Sequence, residues 1–546
     1  MRCLPRLQLL RHRGCATQSL SRKAREANRQ WQWLAAGAAG VAGAHWGRPT
    51  ENEGPRKAPD VSCEHSVEMI NWSGTHGLTT RKLFQPESER QLLELLRWAS
   101  QAKQKVRPVG MNLSPNGLAL QEQGMVSMSE LDAIRGVDLQ RGTITVQAGC
   151  RVSQILEELR KRGLTLENFS SITEQQAAGW TQVSAHGTGA RIPPVDEMVV
   201  AITAVSPEKG VLKLTEVDKL FPWMRVGLGA LGVVQELTLK VIPRYTLHEK
   251  TYCCTYAELE RDHKRLLQTY RHVRYMWIPY TDTIVVVVSN VPKDALAAAK
   301  SCQAPLPEAQ RVEPLRRLLR QLQPNCGDLD GKNFAELREK LLVLDPLNPS
   351  HVAKVNQAEA EFWRKSSGER VADSTEILGF ECGGSQWVLE NCFPCGTIDE
   401  PNLRDIQYVK EMKDIIEANH IAAASPIEQR WTSRSTSPMS PAFSKEANAL
   451  FSWVGVIMYI TSEQQAPAIK AKFKEYAKHH ADLTFKYGGF FHWGKVDLAF
   501  HEGPRREGLR KALAEKFDLG EFRRLKQELD PNNVLGNAIT DVLLWG

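Results

Sequence analysis

The chain has 546 residues, 42% of them hydrophobic and 24% charged, with a formal net charge of +7. This ordinary globular balance allows two to four domains and argues against long-range disorder, collagen-like repetition and a polytopic membrane protein. The charge is lopsided: residues 1–47 carry eight Lys/Arg against one acid, Glu26, which accounts for the whole excess. The body therefore has no basic surplus to hold a nucleic acid.

In chain order, Arg2, Arg6, Arg11, Arg13, Arg22, Arg25 and Arg29 lie among Ser and Leu, the composition of a mitochondrial transit peptide. A Gly/Ala-rich apolar run, Trp31 to Trp46, follows and is shorter than the roughly 20 residues that span a bilayer. Two readings stand. It is a sorting segment that associates with the inner membrane and leaves the mature protein on the intermembrane-space side, or it is a spacer removed with the presequence. Pro86 to Gln104 reads as a helix with Leu92, Leu93, Leu95, Leu96 and Ala99 on one face. Val106 to Val109 and Thr143 to Ala148 read as strands. A helix to Arg162 stops at Gly163, and Met198–Ser206 and Val211–Thr215 form a hairpin around Pro207-Glu208-Lys209-Gly210. Val233 to Ile242 is another strand. This mixed order over 66–245 predicts an α+β domain rather than a regular βαβ series. A second α+β domain is expected over 246–480, with the buried strand Thr281–Ser289 and a charged, Pro-punctuated insertion at 290–375. The final segment, 481–546, brings an aromatic cluster, Phe485 to Trp493, and a helix ending near Asp530-Pro531-Asn532-Asn533.

Eleven cysteines at irregular spacing are too few for a disulfide scaffold. Cys392-Phe393-Pro394-Cys395 is a lone CxxC, so a closed zinc site is not expected; ordinary thiols and a redox pair both remain open. Gly227-Leu-Gly-Ala-Leu-Gly232 matches a dinucleotide fingerprint, but a β-branched run follows where the fingerprint requires a helix. A bare glycine turn that lets the backbone approach a flat group is the better reading. Two more loops, Val106–Gly117 and Ser171–Gly189, are rich in small residues and amides, and such loops cradle pyrophosphate through backbone donors. Taken singly, each is more often a plain loop; three within about 120 residues are harder to dismiss.

These loops resemble the flavin-binding domain of the vanillyl-alcohol-oxidase (PCMH) type, and within it the aldonolactone oxidoreductases. The resemblance is carried by Asn71–His76 (NWSGTH), Leu113–Gly117 (LSPNG), Val146–Gly149 (VQAG), Ala185–Arg191 (AHGTGAR) and Trp277–Thr283 (WIPYTDT). Pro426–Thr432 (PIEQRWT), Ser437–Ser444 (SPMSPAFS) and His492–Lys495 (HWGK) continue it. It implies a two-subdomain FAD-binding domain at 66–245, an antiparallel cap or substrate domain at 246–480, and a C-terminal segment returning to the flavin. It places FAD against Pro108, Val109, Gly110, Met111, Asn112, Leu113 and Ser114. It adds Ser171, Gln175, Gly179, Ala185, His186, Gly187 and Thr188 from the second loop, then Gly232, Val233, Val234 and Lys495. Leu113 stands where related oxidases carry the histidine that tethers flavin, so FAD is expected to be non-covalent. Asn112 stands where relatives usually have glycine, and Asn tolerates positive φ better than most side chains.

Glu428 and Arg430 are two apart, so on a strand they share a face with Gln429 opposite. A random ExR is usually a surface ion pair; in this family context it is the expected catalytic pair. The resemblance implies hydride transfer from C2 of a sugar lactone, L-galactono-1,4-lactone, to flavin N5, giving a 2-keto lactone that tautomerises to ascorbate. Glu428 is expected to orient or deprotonate the hydroxyl, and Arg430 to bind the lactone oxygens. Lys495 either adds positive charge near the flavin or is solvated. The resemblance implies that a methyl at Ala185 narrows the path of dioxygen, which favours cytochrome c as acceptor over an aldonolactone oxidase using dioxygen; the alternative is that Ala185 is merely a small residue in a tight loop. The resemblance also implies an assembly role with respiratory complex I, a reading from a different class and compatible with the first; the insertion at 290–375 is either where a partner would dock or, by default, a set of solvated helices.

Overall fold

The computed structural model describes residues 59–380 and 383–545; the predicted address segment, 1–47, lies outside them. The first helix of the described residues, Glu89–Ala102, begins where the Ser88 hydroxyl accepts from the Gln91 amide and ends at Lys103, whose φ is 50°. Its Leu92, Leu95, Leu96 and Ala99 recur at three- and four-residue spacing and are buried. This is the helix that the leucine pattern predicts.

The N-terminal half carries two sheets. Strands β1 (Ser62–Ile70), β2 (Gly77–Gln85), β3 (Arg107–Val109) and β4 (Met125–Ser127) form a mixed sheet in the order β1-β2-β4-β3. Strands β5 (Ile134–Asp138), β6 (Thr143–Gln147), β8 (Val199–Ser206), β9 (Gly210–Thr215) and β10 (Val233–Lys240) form an antiparallel sheet, β5-β6-β10-β8-β9. A short ladder joins β7 (Leu164–Thr165) to β11 (Ile242–Pro243). The patterning did not reveal β1 because most of its residues are exposed, which leaves no apolar alternation to read. The boundary expected at residue 66 falls inside β1, whose Ser62–His65 pair with Lys82–Gln85.

The second half is built on one antiparallel sheet of eight strands. These are β12 (Thr246–Cys254), β13 (His272–Ile278), β14 (Thr283–Asn290), β15 (Gly368–Asp373), β16 (Gln386–Thr397), β17 (Ile427–Ser433), β18 (Ala449–Tyr459) and β19 (Phe490–Phe491). Their order is β15-β12-β14-β13-β17-β18-β16-β19. Residues Thr283–Ser289 of β14 are all buried, which explains their unbroken β-branched run. The insertion is more than a solvated helical excursion. Helices Glu313–Leu322, Phe334–Leu344 and Pro349–Lys365 pack a core of their own from Leu315, Leu319, Leu337, Leu341, Val352 and Val355. The chain then returns as β15, the sheet's edge strand.

The boundary expected at 480/481 cuts the helix Ala466–Lys486. Beyond it the chain adds β19 to the large sheet and then crosses back. Ser206 Oγ donates to the Leu529 carbonyl at 2.6 Å, the Val106 amide to the Val534 carbonyl at 2.7 Å, and Asn537 Nδ2 to the Leu118 carbonyl at 2.8 Å. Phe490, Phe491, Trp493, Phe517 and Phe522 are buried in the core beneath the five-stranded sheet, each worth roughly 1.5–3 kcal/mol by transfer from water. Among the described residues no helix is long and apolar enough to cross a membrane.

Candidate active site

The three small-residue loops meet around one cleft, open to solvent, with a cavity volume of about 130 Å³. Of the residues expected to hold FAD, Pro108 through Ser114, Gln175, Gly179, Gly232, Val233 and Val234 line it. Arg107 is the organiser that the sequence did not reveal. It is 2% exposed, and its guanidinium donates to the carbonyls of Leu228 (2.6 Å), Gly229 (3.1 Å), Leu118 (3.0 Å) and Leu535 (2.8 Å). One side chain thereby ties β3, the GLGALG turn and the C-terminal segment around the cleft. Burial pushes the guanidinium down to about 10.

The wall of this cleft has unmet polar groups. Asn112 has φ 52°, and neither its buried Oδ1 nor its buried Nδ2 has a partner; Gln176 Oε1 is likewise unmet. A buried amide without a partner costs about 1–3 kcal/mol, so polar groups of a ligand belong there. Gly229, at φ 61°, would place a Cβ 3.0 Å from Pro108 Cγ, whereas a Cβ on Gly179 would meet nothing within 4 Å. A glycine-lined cleft with orphaned amides fits FAD, whose phosphates Asn112 and the backbone of 110–114 would hold.

The expected catalytic pair lies on β17, between β13 and β18 in the middle of the large sheet. Gln429 points into the opposite face, where its Oε1 accepts from Trp277 Nε1 at 3.0 Å and its Nε2 donates to Ser452 Oγ at 3.1 Å. Glu428 and Arg430 therefore share the other face, with Arg430 Nε 3.4 Å from Glu428 Oε2 and Arg274 Nη1 3.7 Å from Glu428 Oε1. A second, smaller cleft of about 30 Å³ is lined by Ser171, Gly187, Thr188, Arg274, Phe380 and Arg430 among others; Glu428 does not line it.

Behind the pair sits Glu390 of β16, 1% exposed. Its Oε1 accepts from Arg430 Nη2 at 2.7 Å; its Oε2 accepts from Lys495 Nζ at 2.7 Å and lies 3.1 Å from His186 Nε2. Burial opposes this charge, but Lys495, His186 and Arg430 outweigh it and hold the carboxyl well below its usual range. Burial also lowers His186, which stacks on Trp453 at 3.8 Å, and drives His492 well below the imidazole range with help from Lys495. His186, Glu390 and His492 offer donor atoms within 4.8 Å of one another. Arg430 and Lys495 already neutralise that carboxylate and would repel a metal cation.

Lys495 is thus ion-paired rather than simply solvated, and it lines neither cleft. Ser171, Gly187 and Thr188 line the second cleft, and His186 lies against Glu390. Ala185 lines neither; it is 3% exposed in the core, and its backbone bonds Trp180 and Val195. Other motifs act as supports. Asn71 Nδ2 donates to the Ser114 carbonyl at 3.0 Å, and His76 Nε2 lies 3.1 Å from Asp497. Asn116 Nδ2 donates to the carbonyls of Trp493 (2.9 Å) and Val496 (2.7 Å), which seats the Lys495 segment on the first loop. Ser435 and Ser437 donate to buried Asp196, each at 2.6 Å.

This fold and cleft define an FAD-binding oxidoreductase of the vanillyl-alcohol-oxidase type. The cholesterol oxidase of B. sterolicum superposes with a TM-score of 0.69 over 91% of this chain and 100% of that one, at 16% identity, a likeness of fold alone. Residues 80–215 match the FAD binding domain family, and residues 237–543 match the D-arabinono-1,4-lactone oxidase family. The mitochondrial L-galactono-1,4-lactone dehydrogenase of Brassica oleracea is 44% identical over 89% of this chain and 84% of its own. Dehydrogenase 1 of Oryza sativa subsp. japonica is 45% identical over 88% and 84%. The chain belongs to the aldonolactone oxidoreductases, FAD-dependent enzymes that include these L-galactono-1,4-lactone dehydrogenases.

Proposed function

We propose that this protein is a mitochondrial enzyme that oxidises L-galactono-1,4-lactone at C2, yielding the 2-keto lactone that tautomerises to L-ascorbate, and passes the electrons to cytochrome c. The observation that carries this reading is the Glu428–Arg430 pair on one face of the central strand, with Arg430 and Arg274 lining the second cleft and Glu428 reached by both. Bound FAD supplies the two-electron acceptor for the C2 hydride. The chain's residues handle the rest: Glu428 orients the hydroxyl and takes its proton, and Arg430 and Arg274 offer fixed donors to the lactone oxygens. Leu113 has no nucleophile with which to tether a flavin, so the cofactor is held non-covalently. The mitochondrial placement rests on the basic, acid-poor N-terminus and on the names of the plant relatives.

The test is anaerobic addition of L-galactono-1,4-lactone to the FAD-loaded protein, then of cytochrome c. The expected result is bleaching of the flavin absorbance and reoxidation by cytochrome c, with two cytochromes reduced per lactone. Glu428→Gln and Arg430→Met should each slow the bleaching by 100-fold or more. A protein that holds FAD and stays yellow with the lactone refutes the substrate; reoxidation by dioxygen faster than by cytochrome c refutes the acceptor.

A further inference from the structure

Glu390 lies in an apolar stretch, Trp387-Val388-Leu389-Glu390-Asn391-Cys392, where a carboxylate is costly to bury unless it is paired. The sheet register explains why it is there. Glu428 pairs with Gly455 on β18, and Gly455 pairs with Glu390 on β16. The two carboxylates therefore stand in one row on one face, two strands and roughly 10 Å apart. Gly455 keeps the gap between them open: a Cβ there would lie 3.7 Å from Glu390 Oε1. Arg430 occupies the next row, opposite Trp453, and its guanidinium reaches both carboxylates. Lys495 arrives from a different segment, and the Glu390 carbonyl holds that segment by accepting from the His492 amide at 2.9 Å.

We propose that Glu390 is a positioning residue, which clamps Arg430 and Lys495 through one oxygen each and offsets one unit of the positive charge that Arg430 presents at the second cleft and that Lys495 places behind the wall of the first, where its segment seats on the first loop. The inference rests on the flavin-and-lactone reading above and deepens it. Arg274, Arg430 and Lys495 face two carboxylates, Glu428 and Glu390, which leaves one net positive charge. Without Glu390 the excess becomes two, and the two cations repel each other in a site screened from water. With it, Arg430 has a fixed direction, and only such fixed donors act without reorganising as the reaction proceeds.

The test uses the FAD-loaded protein and sulfite, whose reversible addition to flavin is tightened by nearby positive charge. Glu390→Gln keeps the shape and removes the charge. It should bind sulfite at least tenfold more tightly and raise the KM for lactone at least tenfold. Lys495→Gln should weaken sulfite binding at least tenfold. The double variant should return within threefold of wild type, because the net charge is restored. A merely structural role would lower FAD content and thermal stability without moving sulfite affinity in opposite directions. If Glu390→Gln holds FAD and its sulfite affinity stays within twofold of wild type, the proposal is overturned.

Should Glu390→Gln fail to load FAD, Glu390→Asp keeps the charge on a shorter arm. It should retain wild-type sulfite affinity with a KM raised at least tenfold, and an unchanged KM overturns the proposal. Sulfite binding needs only the flavin. A wild-type protein that binds sulfite but is not bleached by lactone refutes the substrate reading, while the opposite shifts in the two glutamine variants still decide the role of Glu390.

Discussion

Replacing Arg107 with methionine isolates what holds the cofactor cleft together. The guanidinium serves four backbone carbonyls from three segments, at 2.6 to 3.1 Å. Methionine fills much the same volume and donates nothing. Leu118 keeps a second donor, Asn537 Nδ2 at 2.8 Å, so three carbonyls are left buried without one; at roughly 1.5 kcal/mol each they lose about 4–5 kcal/mol. Part of this returns, because burial already works against the charge: the guanidinium is held down to about 10, a cost of about 3 kcal/mol. The net destabilisation is about 1–2 kcal/mol. If the N-terminal sheets and the C-terminal segment melt as one cooperative unit of about 200 residues, Tm falls by about 2–8 °C. The FAD affinity should drop at least tenfold, since Leu228 and Gly229 line the cleft and lose their anchor. Differential scanning fluorimetry of the apo and FAD-loaded forms, with flavin fluorescence titration, measures both quantities. A variant with wild-type Tm and wild-type FAD affinity would refute the assignment of Arg107 as organiser.

The two glycines of the cleft should respond differently. Gly179→Ala puts a Cβ where nothing beyond its chain neighbours and its own helix backbone lies within 4 Å, so apo stability should hold while FAD affinity falls at least tenfold; unchanged affinity would place FAD elsewhere. Gly229→Ala adds left-handed backbone strain and a 3.0 Å contact with Pro108, so it should cost about 1–2 kcal/mol in the apo protein as well, read as urea midpoints. His480 is fully buried and held down to about 4, so the unfolded chain takes up its proton first as pH falls below about 6.5. Stability should therefore decline between about pH 6.5 and 4, by about 2 kcal/mol from this group at pH 5. His480→Gln should flatten that slope, and urea curves at pH 7 and 5 that keep the wild-type difference would sink the idea. Cys392 and Cys395 are both fully buried, and burial drives both thiols well above their usual range. They belong to different hydrophobic clusters. Both should resist iodoacetamide until the protein is unfolded, and rapid labelling of either in the native state would revive the redox-pair reading.

Local pattern was enough for much of this molecule. The leucine spacing of 86–104, the β-branched run of 281–289 and the hairpin at 198–215 are short-range signals, and the elements form at 89–102, 283–290 and 199–215. The three small-residue loops were legible as a set, because a backbone that must approach a flat ligand excludes side chains wherever it folds. The spacing of Glu428 and Arg430 likewise placed both on one face, since strand alternation needs no tertiary information. The remainder depends on contacts between residues far apart in the chain. Arg107 reads as an ordinary basic residue until four carbonyls from remote segments converge on it. Glu390 reads as a lone acid in an apolar strand until β17, β18 and the Lys495 segment bring it two cations. Ala185 sits in a recognisable motif, yet only packing decides that its methyl faces the core. Sequence by itself determined which segments become strands, helices and bare turns. The tertiary structure alone decided where charge accumulates, because the energy of a buried ion is set by whichever neighbours the fold delivers.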